Sequence, residues 1–359
     1  MKLLMISGDR SILQGKKGAF WYTLEELRKH WERIDVICPF VCHGEPCPPR
    51  PTSRTGRTTK LVTHERTYFP NVFFHPCPQG LWYQPFWIKK KGQELIGDHG
   101  HNVMTVHEYP PFYNGIGAWW LHKKTGIPYA LEIHHIVGCP HAASVVEWVG
   151  RLMYRPYFFF LGKKAKRIRT VNDETKAILK RWGVKEEQLR IISSFYLDRD
   201  ALRPDSSIRK IYDVVFCGRN VPSKGLKELR IATEKIGATL IAIGADQWLE
   251  TKEDVYRAMQ SGKVFVMNSK SEGGPRVLLE AMALGLPVIS TRVGVASNVI
   301  RDGVNGIFTT GEPDDLGQKI QMLLADEDLR ERLGEEACKI GFDREILVKS
   351  YAQFLKSLA

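Results

Sequence analysis

Ser271–Gly285 reads SEGGPRVLLEAMALG, and its reading decides the fold. An apolar run, VFVMNSK (Val264–Lys270), precedes it and another, LPVIST (Leu286–Thr291), follows. Strand, Gly-Gly-Pro turn, apolar helix and strand make the βαβ unit of a parallel sheet. Pro275 suits the first helical position, where a missing N–H costs nothing. Gly273 and Gly274 let a ligand come close to the backbone, and the N–H groups at the helix start are free to bind an anion or hydroxyls. Glu272 precedes the helix and Glu280, eight residues on, lies about two turns along it. Such a pair can grip one ligand at two heights. Glu280 has Leu278, Leu279, Ala281 and Met282 for neighbours. If it is buried it requires a ligand hydroxyl pair or a structural cation, because an unpartnered buried carboxylate is costly; the alternative is a helix-surface glutamate.

Outward from this unit, strand-like runs alternate with helical patterns along the whole chain, and no internal repeat appears. KLLMIS, IDVIC, NVFFH, NVMTVH, YALEIHH and RIRTV form a first series, and YDVVFCG, ATLIAIG, KVFVMNS, LPVIST and NGIFTT a second. Parallel sheets flanked by helices are expected, in two domains, since 359 residues with 43% apolar content suffice for two cores. The polar, proline-containing stretch YLDRDALRPDSSIRK marks the junction. The expected division is 1–195, a linker 196–210, 211–342, and a C-terminal helix 343–359 that packs back on the first domain.

The net charge of +12 is unevenly placed: residues 1–200 hold 30 Lys+Arg against 18 Asp+Glu, and the remainder 22 against 22. The first domain therefore faces something anionic. GLWYQPFWIKKKG and YRPYFFFLGKKAKR combine aromatics with cations. That is the composition of a contact with an anionic membrane surface, although a helix core with a solvated basic face reads the same way. No nucleic-acid motif is present, and none is expected as a partner. The chain shows neither a signal-peptide pattern nor a spanning run, so a protein that is cytoplasmic, or peripheral on the inner face of the membrane, is expected. Its seven cysteines lie mostly in apolar runs, which suits a reducing compartment. CPFVCHGEPC gathers Cys38, Cys42, His43 and Cys47, but the spacing fits no usual paired zinc pattern, so no metal is expected.

Two further strand ends bear on chemistry. VVFCGRNVPSKGL carries Gly218, Arg219, Lys224 and Gly225; two cations on such a loop can neutralise a diphosphate, Arg by forked hydrogen bonds and Lys as a point charge. TRVGVASNVIRDGVNGIF is by itself turn chemistry. Taken together, CGRNVPSKGL resembles the G-R-x-x-x-x-K-G segment, and SEGGPRVLLEAMALGLPVIS the E-x7-E segment, of the retaining GT-B glycosyltransferases, family 4-like. The likeness extends over most of residues 100–310.

That resemblance implies two Rossmann-like domains whose parallel sheets face each other across a cleft. It implies transfer of a hexose from a nucleoside-diphosphate sugar to an acceptor hydroxyl, with retention and without metal or other cofactor. Arg219 and Lys224 would hold the diphosphate, next to Gly218. Glu280 would take the ribose hydroxyls, and Glu272 the sugar together with Gly273, Gly274 and Pro275. His134, six residues after Pro128, would lie near the anomeric carbon, and a one-residue strand shift would exchange it with His135. Gly15 and Gly18 would border the acceptor, which is a glycolipid, a polysaccharide or a phosphorylated sugar. Three departures stand out: a shortened base-binding region (GADQWLETKEDVYRAMQSG), a crossover SSFYLD without Asn-Gly, and Asn298 in place of a frequent acid. The alternative is a non-catalytic nucleotide-sugar-binding protein of the same fold.

Overall fold

The computed structural model describes residues 1–14, 18–39, 66–194, 197, 201–341 and 343–359. Its first sheet contains β1 (Lys2–Ile6), β2 (Arg33–Cys38), β3 (Arg66–Phe69), β4 (Val72–Pro76), β5 (Val103–His107), β6 (Tyr129–Ile133), β7 (Arg167–Thr170) and β8 (Leu189–Ile191). The order is β3-β4-β2-β1-β5-β6-β7-β8. Every pairing is parallel except that of β3 with β4. A second, five-stranded parallel sheet contains β9 (Tyr212–Cys217), β10 (Leu240–Ile243), β11 (Gly262–Met267), β12 (Val288–Thr291) and β13 (Ile307–Thr309), in the order β10-β9-β11-β12-β13.

Helices cover both faces of each sheet. α1 (Ala19–Leu27), α2 (Gln84–His99), α3 (Tyr113–Thr125), α4 (Val145–Phe160) and α5 (Asp173–Arg181) belong to the first; α6 (Leu226–Ile236), α7 (Lys252–Gln260), α8 (Arg276–Ala283), α9 (Ala296–Val299), α10 (Pro313–Ala325) and α11 (Glu327–Cys338) to the second. The strands explain this arrangement. In β1, Leu4 and Ile6 enter one core while Leu3 and Met5 enter the other, so both faces are apolar and need cover. Side-chain caps fix several helix starts: Ser144 accepts from the Glu147 N–H before α4, and Asn172 from the Thr175 N–H before α5. Pro275 caps α8 and does not open it, since the helix begins at Arg276.

The last helix, α12 (Arg344–Lys356), leaves the second domain's layers. Its Tyr351, Phe354 and Leu355 share a core with Leu24 and Leu27 of α1 and Leu3 and Met5 of β1. Arg344 Nη2 donates to Glu25 Oε2 at 2.6 Å and to the Tyr22 carbonyl at 2.7 Å. Among the described residues no helix is long and apolar enough to cross a membrane.

Candidate active site

In a doubly wound sheet ligands bind beyond the carboxyl ends of the strands, where the strand order reverses. Here the order reverses between β9 and β11, and the two loops that leave those strands are locked together. Gly225 has φ +63°, and a Cβ there would lie 2.1 Å from the Asn268 carbonyl oxygen, so only glycine fits. Asn268 Nδ2 donates to the Gly225 carbonyl at 3.0 Å, and the Lys270 N–H to that of Ser223 at 2.8 Å. Lys224 is thereby brought to Glu272, and Nζ pairs with Oε1, which also accepts from Ser269 Oγ at 2.9 Å. Both side chains remain partly exposed, at 22% and 14%. Arg219 is exposed at the same strand end, and Gly218 ends the strand itself, its N–H bonded to the Ile243 carbonyl.

Glu280 is half-buried with partners from its own domain. Arg276 Nε donates to its Oε1 at 2.8 Å and the Tyr256 hydroxyl at 3.1 Å. Of the two ways to satisfy Glu280, a ligand hydroxyl pair or a cation, the fold supplies a cation: Arg276 sits one helical turn earlier, at the i,i+4 spacing that pairs side chains on a helix. Both bonds fall on Oε1, and Oε2 accepts from no side chain among the described residues.

The first domain meets these loops directly. A Cβ on Gly273 would lie 2.1 Å from the His134 carbonyl oxygen, so the Gly-Gly-Pro turn rests against the end of β6. His135 Nε2 and Ser271 Oγ are 3.2 Å apart across the junction, and Ser271 Oγ donates to the Cys139 carbonyl at 2.7 Å. Asn172 Nδ2 donates to the Gly273 carbonyl, and the Gly294 N–H to Glu174 Oε2 at 2.6 Å. His135 is therefore a junction residue, and His134 turns the other way, with 42% of its side chain accessible.

His134 leans on a carboxylate that sequence reasoning passed over. Glu132 is the charged residue inside the apolar strand YALEI, and it is fully buried. Oε2 takes Arg169 Nη1 at 2.5 Å and His134 Nε2 at 3.2 Å. Oε1 accepts from the hydroxyls of Thr105 and of Tyr351 on α12, with His107 Nε2 at 3.4 Å. Burial pushes the Glu132 carboxyl up, but His107 and Arg169, with hydrogen bonds from His107 and His134, hold it well below the usual range. Burial is likewise the main cause that holds the His135 imidazole below its usual value. His107 ends β5, 5.6 Å in ring centroids from His134, and its Nδ1 lies 3.4 Å from Ser7 Oγ at the end of β1. The order of the first sheet reverses between these two strands. The only signal in the sequence is an acid interior to an apolar strand, and a strand that ends in histidine.

Of the remaining expectations, Gly18 is the cap residue of α1. Gly15, Cys42, His43 and Cys47 lie outside the described residues, as do Phe195, Tyr196 and Asp198 of SSFYLD. Asn298 is complementary to its surroundings: Oδ1 accepts from the Asp173 N–H at 3.3 Å and Nδ2 donates to Asp173 Oδ2. An acid at this position would face Asp173.

Similarity to known proteins agrees with this geometry. An uncharacterized glycosyltransferase of Methanocaldococcus jannaschii is 25% identical over 300 residues, 76% of this chain and 81% of its own. The N,N'-diacetylbacillosaminyl-diphospho-undecaprenol alpha-1,3-N-acetylgalactosaminyltransferase of Campylobacter jejuni is 24% identical over 58% of this chain, which spans 64% of that relative's length. The Anabaena HepE structure in complex with UDP-glucose superposes with a TM-score of 0.70 at 18% identity, over all of both chains. Residues 20–195 match Glycosyltransferase Family 4 and residues 209–340 match Glycosyl transferases group 1. With two parallel-sheet Rossmann-like domains and matches over both, the chain belongs to the group 1 glycosyltransferases of GT-B fold.

Proposed function

We propose that the chain is a retaining hexosyltransferase that moves a sugar from a nucleoside diphosphate to the hydroxyl of a glycolipid, polysaccharide or phosphorylated sugar. The observation that carries this reading is the Lys224–Glu272 pair over the β9/β11 crevice, with the adjoining Gly273 seated against the carbonyl of His134. A donor diphosphate would take Lys224 as its counter-ion, joined by Arg219, and so free Glu272 to accept from the sugar hydroxyls beside Gly273, Gly274 and Pro275. Glu280 Oε2 is available to the ribose diol.

In the reaction the bond from the anomeric carbon to the diphosphate oxygen breaks, and the electron pair leaves with the diphosphate. The acceptor oxygen bonds the same carbon from the same face, and its proton passes to the diphosphate. Developing charge falls on Arg219 and Lys224, for which one preorganised contact contributes about 3 kcal/mol. No divalent cation is needed on this reading. The buried thiols of Cys38 and Cys77 agree with a reducing, cytoplasmic setting. HepE with UDP-glucose makes a UDP-hexose the first donor to try.

The test is turnover of UDP-, GDP- and ADP-hexoses, with and without EDTA, and the anomeric configuration of the product. Retention and indifference to EDTA are expected. A donor that binds but never turns over, in hydrolysis or transfer, would identify a non-catalytic sugar-nucleotide binder. An inverted product would remove the retaining step.

A further inference from the structure

α4 is apolar on two sides. Tyr154, Tyr157 and Phe158 point into the first core. Val145, Trp148, Val149, Leu152, Phe159 and Phe160 recur at helical spacing on another side, with exposures from 45% to 77%. Solvated helix faces are charged, and an exposed apolar stripe of this size marks a contact. Its rim has one sign: Trp148 to Arg167 contains six Lys and Arg and no Asp or Glu. Arg151, Arg155 and Lys164 are exposed and unpaired with any described carboxylate. Lys163 Nζ lies 5.6 Å from the centroid of the Phe159 ring.

A second group adjoins the same part of the fold. Trp82 and Phe86, at the start of α2, are 64% and 52% exposed, followed by exposed Lys89 and Lys90. Leu81 and Tyr109 line one small cavity, and Phe112, in the loop after Tyr109, stacks on Tyr157 of α4 with ring centroids 4.2 Å apart. Both groups thus border the β5–α3 loop, at the strand ends where His107 and His134 lie.

We propose that α4, with Trp82 and Phe86, lies in the interface of an anionic lipid bilayer and so holds the first-domain half of the cleft against a membrane-borne acceptor. Large apolar side chains enter at headgroup depth, and the flanking cations meet lipid phosphates. A second copy of the chain fits this surface poorly, because a two-fold contact through the stripe would set the cations of one copy against those of the other. The lipid contact stands on the exposed stripe; only the nature of the acceptor rests on the proposed transferase reading.

The test is sedimentation of the full chain, without nucleotide, on vesicles of phosphatidylcholine alone or mixed with phosphatidylglycerol. Partitioning onto the anionic vesicles is expected to be at least about tenfold stronger and to fall with salt. Leu152→Glu with Phe159→Glu should abolish it. Arg155→Ala with Lys164→Ala should weaken it by about fivefold per cation removed. Trp248→Ala, which removes an 80% exposed aromatic from the second domain, should leave it unchanged. The proposal fails if the unaltered chain stays in the supernatant with anionic vesicles, or if the double glutamate variant sediments as the unaltered chain does. It fails also if light scattering shows a dimer that this variant turns into a monomer while vesicle binding is kept. Donor turnover with a water-soluble acceptor, measured on the same variants, reads the transferase activity separately.

Discussion

The two sides of the cleft hold their charge differently. On the second-domain side, Lys224 and Glu272 are half-buried loop residues paired with one another, and Arg219 is open to solvent. On the first-domain side, Glu132 is fully buried and is shared by Arg169, Thr105, Tyr351 and two histidines. A single ion pair that solvent still reaches contributes little to stability and is readily exchanged for another anion. A buried carboxylate with partners on both neighbouring strands, just past the end of its own strand and on a distant helix does not exchange. The second-domain side is therefore suited to swap partners, and the first-domain side to hold two histidines still.

The comparison breaks first at Glu132. Removing it leaves Arg169 buried without its counter-ion and Thr105, Tyr351, His107 and His134 without this acceptor, so Glu132→Ala is expected to cost about 3–5 kcal/mol of stability, read by denaturant unfolding. Glu272→Ala on the other side should cost under about 1 kcal/mol. Comparable losses at the two positions would refute the distinction between a fixed and an exchangeable side.

Next in size is a loss of rate rather than of stability. Lys224→Ala should lower kcat about 100- to 1000-fold, as the removal of one preorganised contact to developing charge does. Its melting temperature should hardly move. Lys224→Arg should recover only part of the rate, because a planar fork replaces a point charge. An alanine variant that lost affinity for the donor but kept kcat would show that Lys224 binds donor and transition state alike.

How much of this was legible in the sequence depends on how local the cause is. The Arg219–Lys224 loop and the Glu272–Glu280 turn are short segments whose glycines, proline and charges follow one another, so each motif places its own side chains. The strands read from apolar runs are all present; β3 and β8 are not among them, because RTYF and LRI are too short and too polar to show a period. Glu132 is different in kind. Its partners come from positions 105, 107, 134, 169 and 351, and only the closed sheet and the returning α12 bring them together. Periodicity identifies a helix in α4 but not which of two apolar sides faces out, and that depends on where Phe112 and Trp182 lie.

A smaller effect separates the buried acids from each other. Glu108, after β5, is buried beneath the Tyr157 hydroxyl, which donates to Oε2 at 2.6 Å, and burial pushes its carboxyl up to about 8. A carboxyl raised in the folded state contributes stability that is fully present below the ordinary glutamate range and is lost as pH rises through about 8. The slope approaches about 1.4 kcal/mol per pH unit, so from pH 6 to 8 the loss is about 2–3 kcal/mol. Glu108→Gln, which mimics the neutral acid, should flatten thermal stability over that window. Glu132, held low, should contribute nothing to it. An unchanged pH slope in Glu108→Gln would place the titration elsewhere.

The smallest effect lies between the two sides. Asn298 on α9 and Asp173 at the start of α5 are joined by two hydrogen bonds across the domain junction, both at the surface. Asn298→Asp sets two carboxylates face to face, which should cost about 1 kcal/mol or less at low salt and fade as salt is added. Asp173→Asn restores the complement in reverse, so the double variant should regain most of the loss, and the cycle gives the coupling energy of the pair. If each single change cost the same with and without the other, the two residues would not be coupled in solution. The contacts of His135, Ser271, Asn172 and Glu174, which grip the Gly273 and Gly294 loops directly or through Ser271, would then carry more of the junction. Such a result would make the turn that opens α8, and not the surface pair, the hinge on which the two differently charged sides meet.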